Sequence, residues 1–325
     1  MSPVRATLAA GALLAGAGAG TADPAPAPPR AVWLDVDPAV MPGGHEPDDG
    51  VAMVQAFHSP ELRVAGVSVV FGNAPVDRGY PIAREIVARF APDNVGVFKG
   101  SAAASPDPTP ASRALIAALE REPLTVLALG PATNVAAALR ERPDLAGRIE
   151  TVILVIGRRA GEALTSPGGG PNLLDFNFEL DPAAAEVVVG SGAPVVLAPF
   201  ELAAKLPIDA EEWTSVWDTP FGEFFRRPIE DYLDWFADHY GRRATYPFDS
   251  FAVSFLVAPE LLRCDRTSVV VREGPADGYS DAGGTKPWLV RTDAPDGWPV
   301  TWCHTPDPGL KEELLRRLAG RQPRR

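Results

Sequence analysis

Residues 31–70 read AVWLDVDPAVMPGGHEPDDGVAMVQAFHSPELRVAGVSVV and carry the clearest structural pattern in the chain. The apolar run Ala31–Val36 predicts a buried strand, and Gly50–His58 predicts a helix. The valine-rich segment Leu62–Val70 predicts a second strand. This order of strand, helix and strand is typical of a unit that builds a parallel sheet.

The same alternation continues outward from this unit. Further strands are predicted at Val95–Phe98, Leu124–Leu129, Thr151–Ile156 and Pro194–Leu197, and helices at Arg78–Phe90, Ser112–Glu120, Asn134–Arg140 and Pro182–Val188. The pattern predicts an α/β fold in which a mainly parallel central sheet, open and Rossmann-like, is covered by helices on both faces. Because no clear linker interrupts the pattern, residues 31–325 are expected to form a single domain.

The composition excludes some classes of protein and some kinds of partner. The 325 residues are 46% hydrophobic and 22% charged, which excludes a wholly disordered chain. The net charge of −12 argues against nucleic acid or an anionic membrane surface as the main partner. No segment is long and apolar enough to predict a membrane span.

The chain has two cysteines, and Cys264 and Cys303 lack the spacing of a zinc site. They could form one disulfide bridge or remain two free thiols.

Residues 1–30 are expected to lie outside the fold. Arg5 precedes a small, apolar, uncharged run, Ala6–Gly20, and Asp23–Arg30 is rich in proline. This outline is typical of a signal peptide followed by a linker. We therefore expect an exported protein, periplasmic or secreted; the alternative is a disordered tail on a cytoplasmic protein.

Polar residues follow several of the predicted strands, at the edge where open α/β sheets bind ligands. Four carboxylates are concentrated there: Asp35 and Asp37 end the first strand, and Asp48 and Asp49 begin the next helix. Gathered carboxylates repel one another unless a cation neutralises them, and an oxygen-only set favours Ca²⁺ or Mg²⁺. The alternative is that Asp48 and Asp49 simply favour the positive end of a helix.

The chain resembles the inosine–uridine-type nucleoside hydrolases in five segments that occur in the same order. The family signature, a strand ending in DxDPG, one residue and then DD, resembles Asp35–Pro38 followed by Asp48–Ala52, with seven extra residues between them. The other four segments are GVSVVFGN at Gly66–Asn73, LALGPATN at Leu127–Asn134, DFN at Asp175–Asn177 and FDSFAV at Phe248–Val253. The resemblance implies cleavage of a ribonucleoside into ribose and base, and a homodimer or homotetramer.

The resemblance also implies a role for each matching residue. Asp37, Asp49, Asp249 and the backbone carbonyl of Thr133 match ligands of a Ca²⁺ ion, and Asp35 matches a residue that supports the metal loop. Asp48 matches the general base that activates the attacking water. Asn73, Asp175 and Asn177 match positions that bind the ribose, and Asp48 and Asp249 match residues that also contact the sugar hydroxyls. Phe248 is a further candidate for substrate binding.

Three departures from the family pattern concern the extra loop, the sugar site and the leaving group. The loop over residues 39–47 is longer, and Asp175 replaces a glutamate. The histidines that protonate the leaving base in many members are missing, and Phe248 stands in place of one of them. His239 or Tyr240 is the candidate acid in their stead, with His45 a weaker one, while an aromatic side chain such as Phe248 could stack on the base instead. An aromatic stripe at helical spacing around them is also typical of core packing.

Two other functions remain open. A hydrophobic-DxD motif after a strand also occurs in haloacid dehalogenase-type phosphatases, where Asp35 would be the nucleophile and Asp37 the acid. The lysine and the later acidic pair that such enzymes need are not evident in this sequence. A non-catalytic protein that binds a nucleoside or ribose on the same fold is the second alternative. Binding without product would identify it.

Overall fold

The computed structural model describes residues 28–41, 43, 45–92, 95–162, 164–165, 172–277, 283–295 and 297–320. The predicted signal peptide and linker therefore lie outside the described residues, except for positions 28–30. Arg30 already belongs to the first strand, one residue earlier than predicted.

A ten-stranded sheet forms the centre of the molecule, and a separate pair of short strands lies beside it. The strands are β1 (Arg30–Val36), β2 (Leu62–Val69), β3 (Val97–Lys99), β4 (Leu124–Ala128), β5 (Ile149–Leu154), β6 (Arg158–Arg159), β7 (Val195–Leu197), β8 (Ile208–Asp209), β9 (Ala244–Thr245), β10 (Leu262–Pro275), β11 (Thr285–Thr292) and β12 (Trp298–Pro306). The order in the large sheet is β3-β2-β1-β4-β5-β7-β12-β10-β11-β6. All neighbours from β3 to β12 pair in parallel, so the predicted mainly parallel sheet is confirmed.

The C-terminal third adds strands that the sequence pattern did not predict. The long strand β10 pairs antiparallel with both β11 and β12, which extends the sheet beyond β7. This register places Cys264 opposite Cys303, and the two form a disulfide. Of the two open possibilities for these cysteines, the structure contains the bridge.

Helices connect the strands and cover the sheet. They are α1 (Asp48–Phe57), α2 (Val76–Phe90), α3 (Pro110–Arg121), α4 (Thr133–Glu141), α5 (Phe176–Leu180), α6 (Pro182–Val189), α7 (Phe200–Ala203), α8 (Ala210–Trp213), α9 (Pro220–Tyr240), α10 (Ser250–Val257) and α11 (Gly309–Leu318), with 3₁₀ turns at Pro143–Arg148, Thr214–Val216 and Pro259–Leu261. None of these helices combines the length and the apolar composition that crossing a bilayer needs.

Strand β1 shows how both faces of the sheet are buried. Val32, Leu34 and Val36 pack into a hydrophobic cluster that includes side chains of α1, α2, α9, α10 and α11. Trp33, on the opposite face, packs into a second cluster with side chains of α3, α4 and α6. Because successive side chains of a strand point to opposite faces, the central strand needs helices on both sides. The predicted covering on both faces is therefore confirmed.

Helix α9 has clear start and stop signals. The Thr219 side chain accepts a hydrogen bond from the Gly222 amide, and Pro220 occupies the first turn, where its missing N–H costs nothing. The helix ends at Gly241, whose φ of 72° closes the last turn in the left-handed conformation. Its buried aromatic side chains face the first cluster and reach the ligand edge of the sheet.

Candidate active site

The carboxylates predicted from the sequence come together at the carboxyl edge of the sheet. Asp37 follows β1, Asp48 and Asp49 begin α1, and Asp249 immediately precedes α10. One oxygen from each of Asp48, Asp49 and Asp249 lies within 4.8 Å of the others. Asp37 is tied to the same group, because its backbone N–H donates to Asp49 Oδ1 at 2.9 Å.

Close backbone approaches hold the Asp37 side chain in this cluster. A Cβ atom on Gly72 would lie 1.7 Å from Asp37 Oδ2, and one on Gly130 would lie 3.0 Å from Asp37 Oδ1. The Asn73 backbone N–H donates to Asp37 Oδ2 at 2.7 Å. The glycines of the GN and LGPATN segments therefore let the loops after β2 and β4 close over this carboxylate.

Burial makes this group of carboxylates electrostatically unfavourable without a cation. Desolvation, followed by the charges of neighbouring carboxylates, raises the pKa of Asp37, Asp48 and Asp249 well above its usual value. Asp37 Oδ1 is buried without a hydrogen-bond partner in the described part of the chain. A buried oxygen without a partner among carboxylates fits a hard divalent cation, which takes oxygen ligands and neutralises their repulsion.

Asp35 lies close enough to the cluster for the charge of Asp49 to raise its pKa, and Thr133 begins the helix that follows the loop closing over Asp37. Asp35 is fully buried, and its Oδ1 accepts hydrogen bonds from Ser68 Oγ at 2.5 Å and Asn134 Nδ2 at 2.8 Å. These bonds join β1 to β2 and to the start of α4. Thr133 is also fully buried, and its hydroxyl donates to Asp181 Oδ2 at 2.6 Å.

A cavity of about 260 Å³ opens above the acidic cluster. Carboxylate and amide side chains form one part of the lining, called the acidic end below, and aromatic side chains that contact one another form another part, called the aromatic end. The lining residues are His45, Glu46, Asp48, Asn73, Leu129, Val155, Leu173, Leu174, Asp175, Phe176, Asn177, Phe200, Tyr232, Trp235, Phe236, Tyr240, Phe248 and Asp249. Every residue predicted to bind substrate is among them, as is the predicted base Asp48.

Asp175 and Asn177 are positioned by backbone groups. Gly157 N–H donates to Asp175 Oδ2 at 2.9 Å, and burial raises the pKa of this carboxyl to about 7. The Asn177 amide donates to the Leu129 and Val155 carbonyls, while its buried Oδ1 has no partner within the described residues. That oxygen is available to accept a hydrogen bond from a ligand hydroxyl.

The family model for the inosine-uridine preferring nucleoside hydrolases matches residues 32–295. The chain belongs to this family. It is 30% identical, over 71% of its own length and 80% of the relative, to the pyrimidine-specific ribonucleoside hydrolase RihA of Escherichia coli K12. Its fold is similar to that of the plant nucleoside hydrolase PpNRh1 (TM-score 0.76, 21% identity, 90% of this chain and 99% of the other). It is also similar to a purine-preferring ribonucleoside hydrolase of Gardnerella vaginalis (TM-score 0.73, 21% identity, 90% and 98%).

As a member of this family the chain is an N-glycosyl hydrolase. The phosphatase alternative also conflicts with the geometry. Its nucleophile would be Asp35, which is fully buried, bonded to Ser68 and Asn134, and absent from the described lining of the cavity. A nucleophile must reach its substrate, so the structure gives Asp35 a supporting position instead.

Of the residues predicted to act on the leaving group in this nucleoside hydrolase, the cavity contains some but not all. Tyr240 and Phe248 line the cavity, and Phe248 stacks on Phe200 with ring centroids 5.6 Å apart. His239 does not reach it: the side chain is exposed, and its Nδ1 lies 2.7 Å from the Trp235 carbonyl. The prediction of His239 as leaving-group acid is therefore wrong, because its ring packs on Trp235, with centroids 4.4 Å apart, and stays at the exposed surface of the last turn of α9.

The aromatic side chains on one face of α9 both pack in the core and line the cavity. Tyr232, Phe236 and Tyr240 belong to the first hydrophobic cluster, and all three also line the cavity. Large aromatic side chains can bury one edge in the core and present another to a ligand. The two readings of the stripe are therefore compatible.

Glu46 is a cavity residue that the sequence reasoning missed. It lies in the loop of residues 39–47 that lengthens the family pattern, and its Oε1 accepts a hydrogen bond from the Tyr232 hydroxyl at 2.7 Å. Desolvation raises the pKa of Glu46 to about 7. Its position two residues before Asp48 could have suggested a role in the site, but the direction in which the loop folds cannot be predicted from the sequence.

Proposed function

We propose that this enzyme hydrolyses the N-glycosidic bond of a ribonucleoside or related N-riboside and depends on Ca²⁺. The observation that carries the proposal is the convergence of Asp48, Asp49 and Asp249 on one point at the floor of the cavity, beside the partnerless oxygen of Asp37. Asp37, Asp49, Asp249 and the carbonyl of Thr133 would hold the ion. A divalent cation there supplies a positive charge that lowers the pKa of the attacking water and attracts the vicinal ribose hydroxyls.

The side chains around this floor suit the two demands of the reaction. Asp48 reaches the cavity and would accept the proton of the attacking water. Asp37, whose Oδ1 has no partner among the described residues, is the second candidate for that proton. Asn73, Asp175 and Asn177 would hold the sugar hydroxyls, and the acidic surroundings would stabilise the positive charge that develops on the sugar.

The aromatic end of the cavity would hold the aglycone. Phe248 and its stacking partner Phe200 offer a flat surface, and Tyr240 is the remaining predicted donor of a proton to the leaving group. Stacking on aromatic faces suits any flat heterocycle. The preference for one nucleobase over another would therefore depend on the aromatic end of the cavity and not on the acidic end.

Ribose release from a panel of substrates tests the proposal. Uridine, cytidine, inosine, adenosine and p-nitrophenyl riboside are incubated with the enzyme, with and without a calcium chelator. We expect chelator-sensitive release that returns when Ca²⁺ is added back, and no release from 2′-deoxyuridine. Ribose release at the same rate with and without the chelator would contradict the calcium dependence. Binding of Ca²⁺ and nucleoside without release from any riboside would instead support the non-catalytic binding protein.

We also propose that the protein is exported. The bridge between Cys264 and Cys303 supports this, since disulfides persist mainly in oxidising compartments. Cell fractionation with N-terminal sequencing of the mature protein tests it. A cytoplasmic protein that retains Met1 would refute it. A homodimer or homotetramer stays a prediction, which light scattering would test.

A further inference from the structure

The cavity has an unusual charge for a site that would accept a neutral base. Four carboxyl side chains line it, those of Glu46, Asp48, Asp175 and Asp249, and neither lysine nor arginine is found among the described lining residues. Asp37 and Asp49 lie directly behind them. A divalent cation would offset two of these negative charges, so the cavity would remain an anionic environment.

Glu46 extends this negative charge toward the aromatic end. Its carboxylate is held by the Tyr232 hydroxyl, and Tyr232 stacks on Trp235 with ring centroids 5.6 Å apart. It is also close enough to Asp48 that its charge, after desolvation, contributes to raising the pKa of that residue. Glu46 therefore lies at the junction between the acidic cluster and the aromatic wall.

A carboxylate beside aromatic rings favours a ligand that is flat and positively charged. Aromatic rings attract a cation placed over their faces, and the attraction grows when water is excluded. Here Tyr232, Trp235, Tyr240 and Phe248 line the same cavity as Glu46, and Glu46 is joined to this aromatic wall by its hydrogen bond with Tyr232. A flat aglycone with a delocalised positive charge could both stack on these rings and pair with the carboxylate.

The cavity is also poor in histidine, the side chain that most often protonates a leaving group. Of the four histidines, all of which are described, His45 alone belongs to the lining, and it is exposed in the loop of residues 39–47. Tyr240 is the other predicted donor. A neutral purine or pyrimidine leaves most easily when it gains a proton. A leaving group that already carries a positive charge needs none.

We propose that the preferred substrates are ribosides with a cationic aglycone, such as N-ribosylpyridinium compounds, and that Glu46 is the residue that selects them. This rests on the proposed hydrolysis. In the reaction the C1′–N bond breaks and its electron pair stays on the ring nitrogen, so the aglycone leaves as a neutral heterocycle. The water oxygen bonds to C1′, and one proton is released overall. The products are ribose, neutral base and H⁺.

The test compares charged and neutral substrates in the full-length enzyme with Ca²⁺. The substrates are two cations, N-ribosylnicotinamide and N-ribosylpyridinium, and two neutral ribosides, inosine and p-nitrophenyl riboside. Because cationic ribosides are intrinsically more reactive, the decisive quantity is how a charge-neutralising variant changes each kcat/KM. Glu46→Gln keeps the shape and an acceptor for Tyr232, and Glu223→Gln on the exposed side of α9 is the matched control.

We expect Glu46→Gln to lower kcat/KM for both cationic substrates about tenfold more than for p-nitrophenyl riboside, a loss in the range of one desolvated charge contact. Glu223→Gln should change neither. A readout without turnover is calorimetric binding of 1-methylnicotinamide against neutral nicotinamide. The wild type should favour the cation, and Glu46→Gln should remove the preference.

The outcomes separate this inference from the proposed function. An equal loss on all substrates in Glu46→Gln, or equal binding of cation and neutral ring by the wild type, would overturn the inference. Release of ribose from p-nitrophenyl riboside but not from either cationic riboside would overturn it too, while hydrolysis itself stands. Failure to release ribose from any riboside would reject the proposed function and the inference with it.

Discussion

The two ends of the cavity differ in how closely they follow the family. The acidic end is built from DxD, DD, GN, LGPATN and the Asp249 segment, in the order that the family pattern has them. The aromatic end lacks the usual histidines and gains Glu46 from a lengthened loop. Activating water and holding ribose make fixed demands on charge and distance, whereas the aglycone can be accommodated by many surfaces. The residues of the acidic end therefore follow the family pattern, and the chain departs from that pattern mainly at the aromatic end.

The largest expected effect is at the acidic end. Asp48→Asn should lower kcat by roughly 10²–10⁴-fold, the usual contribution of a positioned base, with a much smaller change in KM. Steady-state kinetics on uridine or p-nitrophenyl riboside measures it, and calorimetry checks that Ca²⁺ still binds. If Asp48→Asn mainly raises KM while Asp37→Asn keeps Ca²⁺ and abolishes kcat, the base is Asp37 and Asp48 binds the sugar.

An intermediate effect concerns the pH dependence of stability, which the buried carboxyls of the cavity should set. Burial raises the pKa of Asp35 and Asp175 to about 7 and that of Asp37, Asp48 and Asp249 well above the usual value. Carboxyls with a raised pKa in the folded state stabilise the fold below about pH 4, and this contribution is lost as the pH rises through about 7. Metal-free protein should therefore lose about 5–10 °C in Tm between pH 5 and pH 8.

Added Ca²⁺ should flatten this pH dependence, because a bound cation keeps the carboxyls ionised in the folded state. Scanning calorimetry at four pH values, with and without Ca²⁺, measures both slopes. Asp249→Asn is the control, since it should lose the protection by Ca²⁺. Identical slopes in the two series would mean that the acidic cluster is not a cation site.

The smallest expected effect is at the aromatic end. Phe248→Ala removes the ring that stacks on Phe200 and should weaken inhibition by the free base about 2–10-fold, the range of one aromatic contact. Inhibition by free ribose should stay the same. Phe248→Tyr keeps the ring and serves as the matched control. Equal weakening of base and ribose would show that the two ends of the cavity are not separate.

Local patterns in the sequence were enough to predict the α/β class, a mainly parallel sheet and the carboxylates that meet at its edge. Alternating apolar runs and helical patterns are local properties, and Asp37, Asp48 and Asp249 occur at strand or helix ends where the edge of a parallel sheet brings them together. The glycines before Asn73 and before Thr133 are likewise recognisable, because the backbone must pass within contact distance of Asp37.

The direction of Glu46, the pairing of the cysteines and the placement of His239 could be read only from the folded molecule. The inward direction of Glu46 depends on a contact with Tyr232, 186 residues away, and the pairing of Cys264 with Cys303 depends on the register of β10 and β12. His239 and Tyr240 are neighbours in the sequence, yet α9 turns one toward solvent and the other into the cavity. Such choices follow from packing between segments that are distant in the sequence, which a local pattern of residues does not contain.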